Sequence, residues 1–251
     1  MGTVKTGIPG LDELLEGGYI ENDIMLVTGG PGAGKTTFGL QYLIAGAWDL
    51  DEPGVLVTLE ETPSRILRNS WRFGWDLEKL IAAKKLKIIY ASPFKHTKYA
   101  MTQDKSPVNI INGSQTAAEI FRQIQTEVDA IGAKRIFIDS ITSLKLSSDG
   151  TEVRYIVSDF IKNLEYLDCT TIMSSEVYNV NSFNVEEYLV SGVIRMHIFR
   201  AGGARVKAME ILKMRGVKHD ETLRPYEIQD KGIIVHSNET VMNDEINLFN
   251  S

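Results

Sequence analysis

The sequence predicts an α/β fold. A mostly parallel central sheet is covered by helices on both faces, and antiparallel hairpins follow at the C-terminal end. Three observations carry this. From Ile24 to Ser174, short apolar runs alternate with amphipathic helical stretches, the pattern of βαβ units. A glycine-rich turn, Gly29 to Thr37 (GGPGAGKTT), sits between the first run and the first helix. After Gly192 the helical stretches give way to paired extended runs around glycine-containing turns.

Taken in order, Thr6 to Tyr19 (TGIPGLDELLEGGY) reads as a short helical turn around Leu11, Leu14 and Leu15, bracketed by Pro9-Gly10 and Gly17-Gly18. Ile24 to Val27 is the first strand, and Thr37 to Ala47 the first helix. Val55 to Leu59 is the second strand and ends at Glu60-Glu61. Thr62-Pro63 reads as an N-cap with proline at the first helical position, and the helix runs to about Trp71. Asp76 caps a further helix, Leu77 to Ala83, and Leu86 to Tyr90 is a third strand. Residues 93–113 have no period and read as a long surface loop. Ser114 starts a helix with Ile120, Ile124 and Val128 on one face, stopped by Gly132. Arg135 to Ser140 is a strand, Thr151 caps a helix, and Thr170 to Ser174 is another buried strand. Val193–Arg200 with Arg205–Met214, and Tyr226–Gln229 with Ile233–His236, read as two hairpins.

The 251 residues suit one large domain, expected over 1–236, with a polar, acidic tail over 237–251. Hydrophobic residues make up 43% and charged residues 24%, as in an ordinary globular chain. No apolar run approaches the roughly 18–20 residues that span a membrane. The N-terminus lacks a signal-peptide pattern. One cysteine, Cys169, cannot form an internal disulfide and reads as a buried, inert thiol. The expected compartment is the reducing cytoplasm. The net charge of −6 argues against nucleic-acid binding by the whole surface. The charge is uneven, however. Arg195, Arg200, Arg205, Lys207, Lys213, Arg215 and Lys218 cluster with a single acid, Glu210.

The glycine turn carries the chemistry. It fits G-x-x-x-x-G-K-[ST] with Gly29, Gly34, Lys35 and Thr36 at the fixed places. Backbone N–H groups of Gly30, Pro31, Gly32, Ala33, Gly34, Lys35, Thr36 and Thr37, proline apart, can turn inward around phosphate oxygens. Lys35 can reach the β- and γ-phosphates of ATP, and the Thr36 hydroxyl can bind Mg²⁺. A plain glycine turn is the competing reading, but strand, loop, Lys-Thr and helix stand here in the required order. Asp139, at the end of the strand RIFID, is the second candidate Mg²⁺ ligand. Glu60 and Glu61 end a neighbouring strand, where the crevice of a parallel sheet lies. One of them, Glu60 in the first place, can activate the water that attacks the γ-phosphate.

TGIPGLDELL, GGPGAGKTT, VTLEETPSRILRNSWRFGWDL, RIFIDSITSL, TTIMSSE, EYLVSGVI and EILKMRGVKHD together resemble a single KaiC-type domain of the RecA superfamily of P-loop ATPases. The resemblance implies an Mg²⁺-dependent ATPase with a RecA-like core, working as a ring or filament, the ring commonly a hexamer. It implies that Glu60 and Glu61 are paired catalytic glutamates and that Ser174, Ser175 and Glu176 sense the γ-phosphate. Arg72 and Phe73 fall where the family packs adenine. Lys213, Arg215 and His219 fall where it reaches the nucleotide of a neighbouring subunit. KaiC proper has two such domains in tandem, and its phosphorylated Ser-Thr pair is absent from the matching segment EEYLVSG. Autokinase activity is therefore not expected. Three other readings are a nucleotide-gated switch for an unknown protein partner, a recombination accessory that binds DNA, and a protein kinase, the last two not favoured. Strict alternation along Arg205–Arg215 predicts Arg205, Lys207, Lys213 and Arg215 on one side with Met209 and Ile211, and Val206, Ala208, Leu212 and Met214 on the other.

Overall fold

The computed structural model describes residues 2–91, 109–111, 116–146, 152–177, 184–201 and 204–241. The elements are β1 (Thr3–Val4), α1 (Leu11–Leu14), β2 (Tyr19–Ile20), β3 (Ile24–Gly29), α2 (Lys35–Asp49), β4 (Gly54–Thr58) and α3 (Pro63–Ser70). A 3₁₀ turn (Trp71–Phe73) leads to α4 (Leu77–Ala82), β5 (Leu86–Ala91), β6 (Asn109–Ile111), α5 (Ala117–Ile131) and β7 (Arg135–Asp139). Then come α6 (Thr142–Leu146), α7 (Glu152–Leu164), β8 (Thr170–Glu176), α8 (Val185–Leu189), β9 (Gly192–Ala201), β10 (Ala204–Met214), β11 (Arg224–Gln229) and β12 (Gly232–Val235).

Among the described residues, one ten-stranded sheet runs in the order β12-β11-β10-β9-β3-β8-β7-β4-β5-β6. The pairs from β9 to β6 are parallel, and those from β12 to β9 are antiparallel. The expected architecture is thus present. β3 and β4 are buried along their whole length, as strands covered on both faces must be. One face packs Phe38, Tyr42 and Leu43 of α2 with Leu77 and Leu80 of α4. The other packs Ile120 and Ile124 of α5 with Phe160 and Leu164 of α7.

Two helix glycines fix how closely α2 lies on the sheet. A Cβ on Gly39 would stand 2.2 Å from the Phe137 ring, and one on Gly46 would stand 2.3 Å from Arg135 Nε. Arg135 is fully buried on β7. It bonds to Glu52 at 2.6 Å and to the Tyr42 carbonyl at 2.9 Å, and lies 4.5 Å from the centre of the Tyr42 ring. A buried guanidinium is tolerable only when paired in this way. Glycine therefore brings α2 against β7 and sets the start of α2 beside the end of β7.

Several expectations change. A strand, β6, pairs in parallel with β5 inside the stretch read as a loop; the rest of 93–113 lies outside the described residues. Three residues are too few to show a period. The following helix is capped by Thr116, not Ser114, through a reciprocal box with Glu119. Thr151, expected as a cap, lies outside the described residues. Thr62 precedes Pro63 as expected, but its hydroxyl pairs with Ser64 rather than capping a backbone N–H. Residues 237–241 are tied to the body: Ser237 bonds Glu13, and the Val241 N–H reaches the Leu223 carbonyl at 3.2 Å. Cys169 is buried, its thiol pushed up to about 12 by burial.

The face assignment along β10 is also corrected. The register with β9 slips between Ile211 and Lys213, leaving Leu212 as the extra residue of a β-bulge. Met209, Ile211 and Met214 all reach the α2 face of the sheet, whereas Leu212 packs on the α5/α7 face. A bulge restarts the alternation. Lys213 and Arg215 thus leave the face shared by Met209 and Ile211.

Candidate functional site

The glycine turn caps the end of β3, and α2 starts at Lys35. Gly32 and Gly34 hold φ of 80° and 102°, values that L side chains rarely adopt. At Gly30 and Gly32 a Cβ would meet nothing within 4 Å, so the loop has an open, side-chain-free concavity. Such a cradle suits phosphate oxygens held by backbone N–H groups. The loop is braced from behind. The Tyr226 hydroxyl donates to the Ala33 carbonyl at 2.6 Å, and Ile228 sits where a Gly34 Cβ would go.

Lys35 Nζ donates to the carbonyls of Gly29 and Gly30 at 2.9 and 3.3 Å. Burial holds its ammonium below the usual lysine range, and the nearby carboxylates of Glu176, Asp139 and Glu60 oppose that shift. An added phosphate would oppose it further.

Asp139 is the centre of a second cluster. Its Oδ2 accepts from Thr36 Oγ1 at 2.7 Å, and its Oδ1 accepts from Ser174 Oγ at 2.5 Å. Burial pushes the Asp139 carboxyl up, and the two hydroxyls pull it back down. Hydroxyl and carboxylate oxygens are hard donors that fit Mg²⁺. Among the described residues no cluster of three or more His, Cys, Asp or Glu could hold a metal. A cation at Thr36 and Asp139 would thus complete its shell with phosphate and water, as Mg²⁺ does at phosphate sites.

The two glutamates differ. Glu60 Oε1 accepts from Ser140 Oγ at 2.8 Å and from Ser143 Oγ at 2.7 Å. Both donors are buried, and the exposed glutamate is anchored by one oxygen. Glu61 Oε1 faces Arg65 at 3.2 Å and Asn69 at 3.3 Å along α3. Burial raises the Glu61 carboxyl and Arg65 partly offsets this. Glu60 therefore points from a hydroxyl anchor, whereas Glu61 is tied to its own helix.

Arg72 is exposed on the 3₁₀ turn, and Phe73 stacks on Trp75 with centroids 4.7 Å apart. Trp75 in turn meets the Gly232 turn beside Gln41. None of the described hydrogen bonds or ring contacts joins Arg72 or Phe73 to the glycine loop.

Lys213, Arg215 and His219 lie elsewhere. Met214 is opposite Gly192, which is opposite Met25 at the start of β3; Gly29, at the loop, is opposite Met196. Four residues of strand separate the two levels, about 13 Å at roughly 3.3 Å per residue. The cations occupy the edge of the sheet away from their own loop. Lys213 Nζ donates to the Glu187 carbonyl at 2.9 Å, and Arg215 donates to the Tyr188 carbonyl at 3.2 Å. They border a cavity of about 310 Å³ with Tyr188 and Leu212. His219 Nδ1 lies 3.4 Å from the Val217 carbonyl. The residues assigned to one nucleotide thus fall into two groups that a single chain does not bring together.

A larger cavity, about 500 Å³, lies between Gly29–Pro31 and β9, bordered by Arg195, Arg200 and Arg205. Arg195 is held there by a two-pronged pair with Glu187, both bonds 3.1 Å. Sequence reasoning missed Ser140, Ser143, Tyr226 and the helix glycines. Ser140 directly follows RIFID, the one local signal available for it.

A family model described as "ATPase: KaiC" matches residues 4–240. A UPF0273 protein of Methanocaldococcus jannaschii is 36% identical over 94% of this chain and 97% of its own. The circadian clock oscillator protein KaiC of Synechococcus elongatus is 35% identical over 92% of this chain and 43% of its own length. The crystal structure of a KaiC-like protein of Pyrococcus horikoshii superposes with a TM-score of 0.79 at 34% identity, covering 94% of this chain and 99% of that one.

Proposed function

Since the chain belongs to the KaiC family of ATPases, we propose that it hydrolyses Mg²⁺-bound ATP to ADP and phosphate at sites shared between neighbouring copies. The observation that carries this is the meeting of Thr36, Asp139 and Ser174 beside the open glycine cradle, with Glu60 held alongside by two serines.

In this reading the loop amides and Lys35 bind the β- and γ-phosphates. Thr36 and Asp139 hold Mg²⁺, which neutralises phosphate charge as it develops. Glu60 is the base: Ser140 and Ser143 fix its Oε1 and leave its other oxygen to take a proton from water. Glu61 supports it, held by Arg65 and Asn69. Ser175 and Glu176, which end β8 at the level of Gly29, serve to sense the terminal phosphate. Arg72 and Phe73 pack the adenine. Lys213, Arg215 and His219 serve the adjacent subunit; the strand register sets Lys213 and Arg215 at the end of the sheet away from their own loop. A ring, with six copies as the first expectation, gives every loop such a neighbour. Among the described residues no helix is long and apolar enough to cross a membrane.

The test is molar mass by light scattering with and without Mg²⁺-ATP, alongside phosphate release. A multimer that releases phosphate only with Mg²⁺ supports the reading. A monomer with full turnover overturns the shared site, and a multimer without turnover leaves a nucleotide-gated switch.

A further inference from the structure

The short helix α8 joins the two halves of the divided site. Three of its successive residues are engaged. Glu186 is 1% exposed, and its Oε1 accepts from Ser175 Oγ at 2.6 Å and from Lys145 Nζ at 2.6 Å. Lys145 belongs to α6, which follows Asp139 and carries Ser143, one of the two hydroxyls on Glu60. Glu187 holds Arg195 with its carboxylate and Lys213 with its carbonyl. The Tyr188 carbonyl holds Arg215. Carbonyls in the last turn of a helix lack partners within it and attract cations. A chain of bonded groups therefore runs from Ser175 at the phosphate end, through α8, to the two cations at the far edge.

We propose that Glu186 is a positioning residue: it ties α8 to Ser175 and Lys145, so that the phosphate state of a subunit's own loop sets the placement of the Lys213 and Arg215 it offers to its neighbour. The proposal rests on the shared-site reading above. Its physical basis is that a buried carboxylate is held strictly by its partners, because an unpaired charge there is costly. When Ser175 turns toward a γ-phosphate, Glu186 loses one of two partners and α8 must follow or strain. The carbonyls of Glu187 and Tyr188 move with it, and the cations with them.

Hydrogen exchange on the whole protein tests this, with a non-hydrolysable ATP analogue compared against ADP, both with Mg²⁺. The parent should show protection at 30–37 with both ligands, and a change of about tenfold at 185–190 and 212–216 only with the analogue. Glu186→Gln should keep the protection at 30–37 and lose the change at 212–216. If Glu186→Gln does not fold, Glu186→Leu combined with Lys145→Met removes both charges and leaves no unpaired ion. Lys145→Arg, which keeps the charge, should retain the coupled change. A full change at 212–216 in the Glu186 variant, or none in the parent, overturns the proposal. Activity in mixtures of Glu60→Gln and Arg215→Ala subunits reads the shared site by itself. Recovery there with an unaltered exchange pattern in Glu186→Gln would sink the relay and leave the shared site standing.

Discussion

The two ends of the central sheet are built in different ways. At the phosphate end, one chain brings the groups together: Lys35 bonds the cradle, Asp139 bonds Thr36 and Ser174, and Glu60 is held by Ser140, the residue after Asp139. At the opposite edge, Lys213 and Arg215 rest on neutral carbonyls of α8 beside a cavity, with no carboxylate bonded to either among the described residues. Burial, and then repulsion by Arg215, hold the Lys213 ammonium below the usual lysine range, with the Glu187 carboxylate partly opposing them. A group in that condition gains from an incoming anion. On the proposed function, the first end is a binding site within one fold, and the second is half of a site. Binding and rate acceleration should therefore separate by mutation.

The largest expected effect is on binding at the first end. Lys35→Ala leaves buried phosphate charge without its counter-ion and should abolish tight Mg²⁺-ATP binding, read by equilibrium titration. Parent-like affinity would remove the loop from the account. At the second end, Arg215→Ala should bind ATP within a few-fold of the parent yet lose about 10³–10⁵ in turnover, the range for a cation supplied in trans. Loss of binding instead would merge the two ends into one function. The smallest effect sharpens the packing argument. Gly39→Ala forces a methyl against Phe137. It should cost roughly 1–3 kcal/mol in denaturant unfolding and weaken Mg²⁺-ATP binding by parting Thr36 from Asp139. An unchanged midpoint would mean that α2 does not set that contact.

The same contrast explains what the sequence disclosed. Gly29–Thr37, Asp139 and Glu60 were legible because each lies at the end of a strand, next to its own signal. The parallel order was legible because apolar runs alternated with helical stripes. Four features were not. A bulge at Leu212 has no residue signature here, so strict alternation put Lys213 on the wrong face. Gly39 and Gly46 carry no local signal of their role, which only Phe137 and Arg135 packed beneath them reveal. Ser143 meets Glu60, and Glu186 meets Lys145, only through folding, across sequence gaps that no local pattern spans. Strand β6 is too short for periodicity, and its pairing with β5 alone defines it.

The central claim is that a neighbouring copy completes each nucleotide site, and mixing tests it most directly. Glu60→Gln lacks the base and keeps the cation; Arg215→Ala lacks the cation and keeps the base. Each alone should show almost no phosphate release. When the two are mixed and subunits exchange, some interfaces pair an intact Glu60 with an intact Arg215, and activity should return. If subunits exchange and no activity returns, or if Arg215→Ala alone turns over like the parent, the site is not shared.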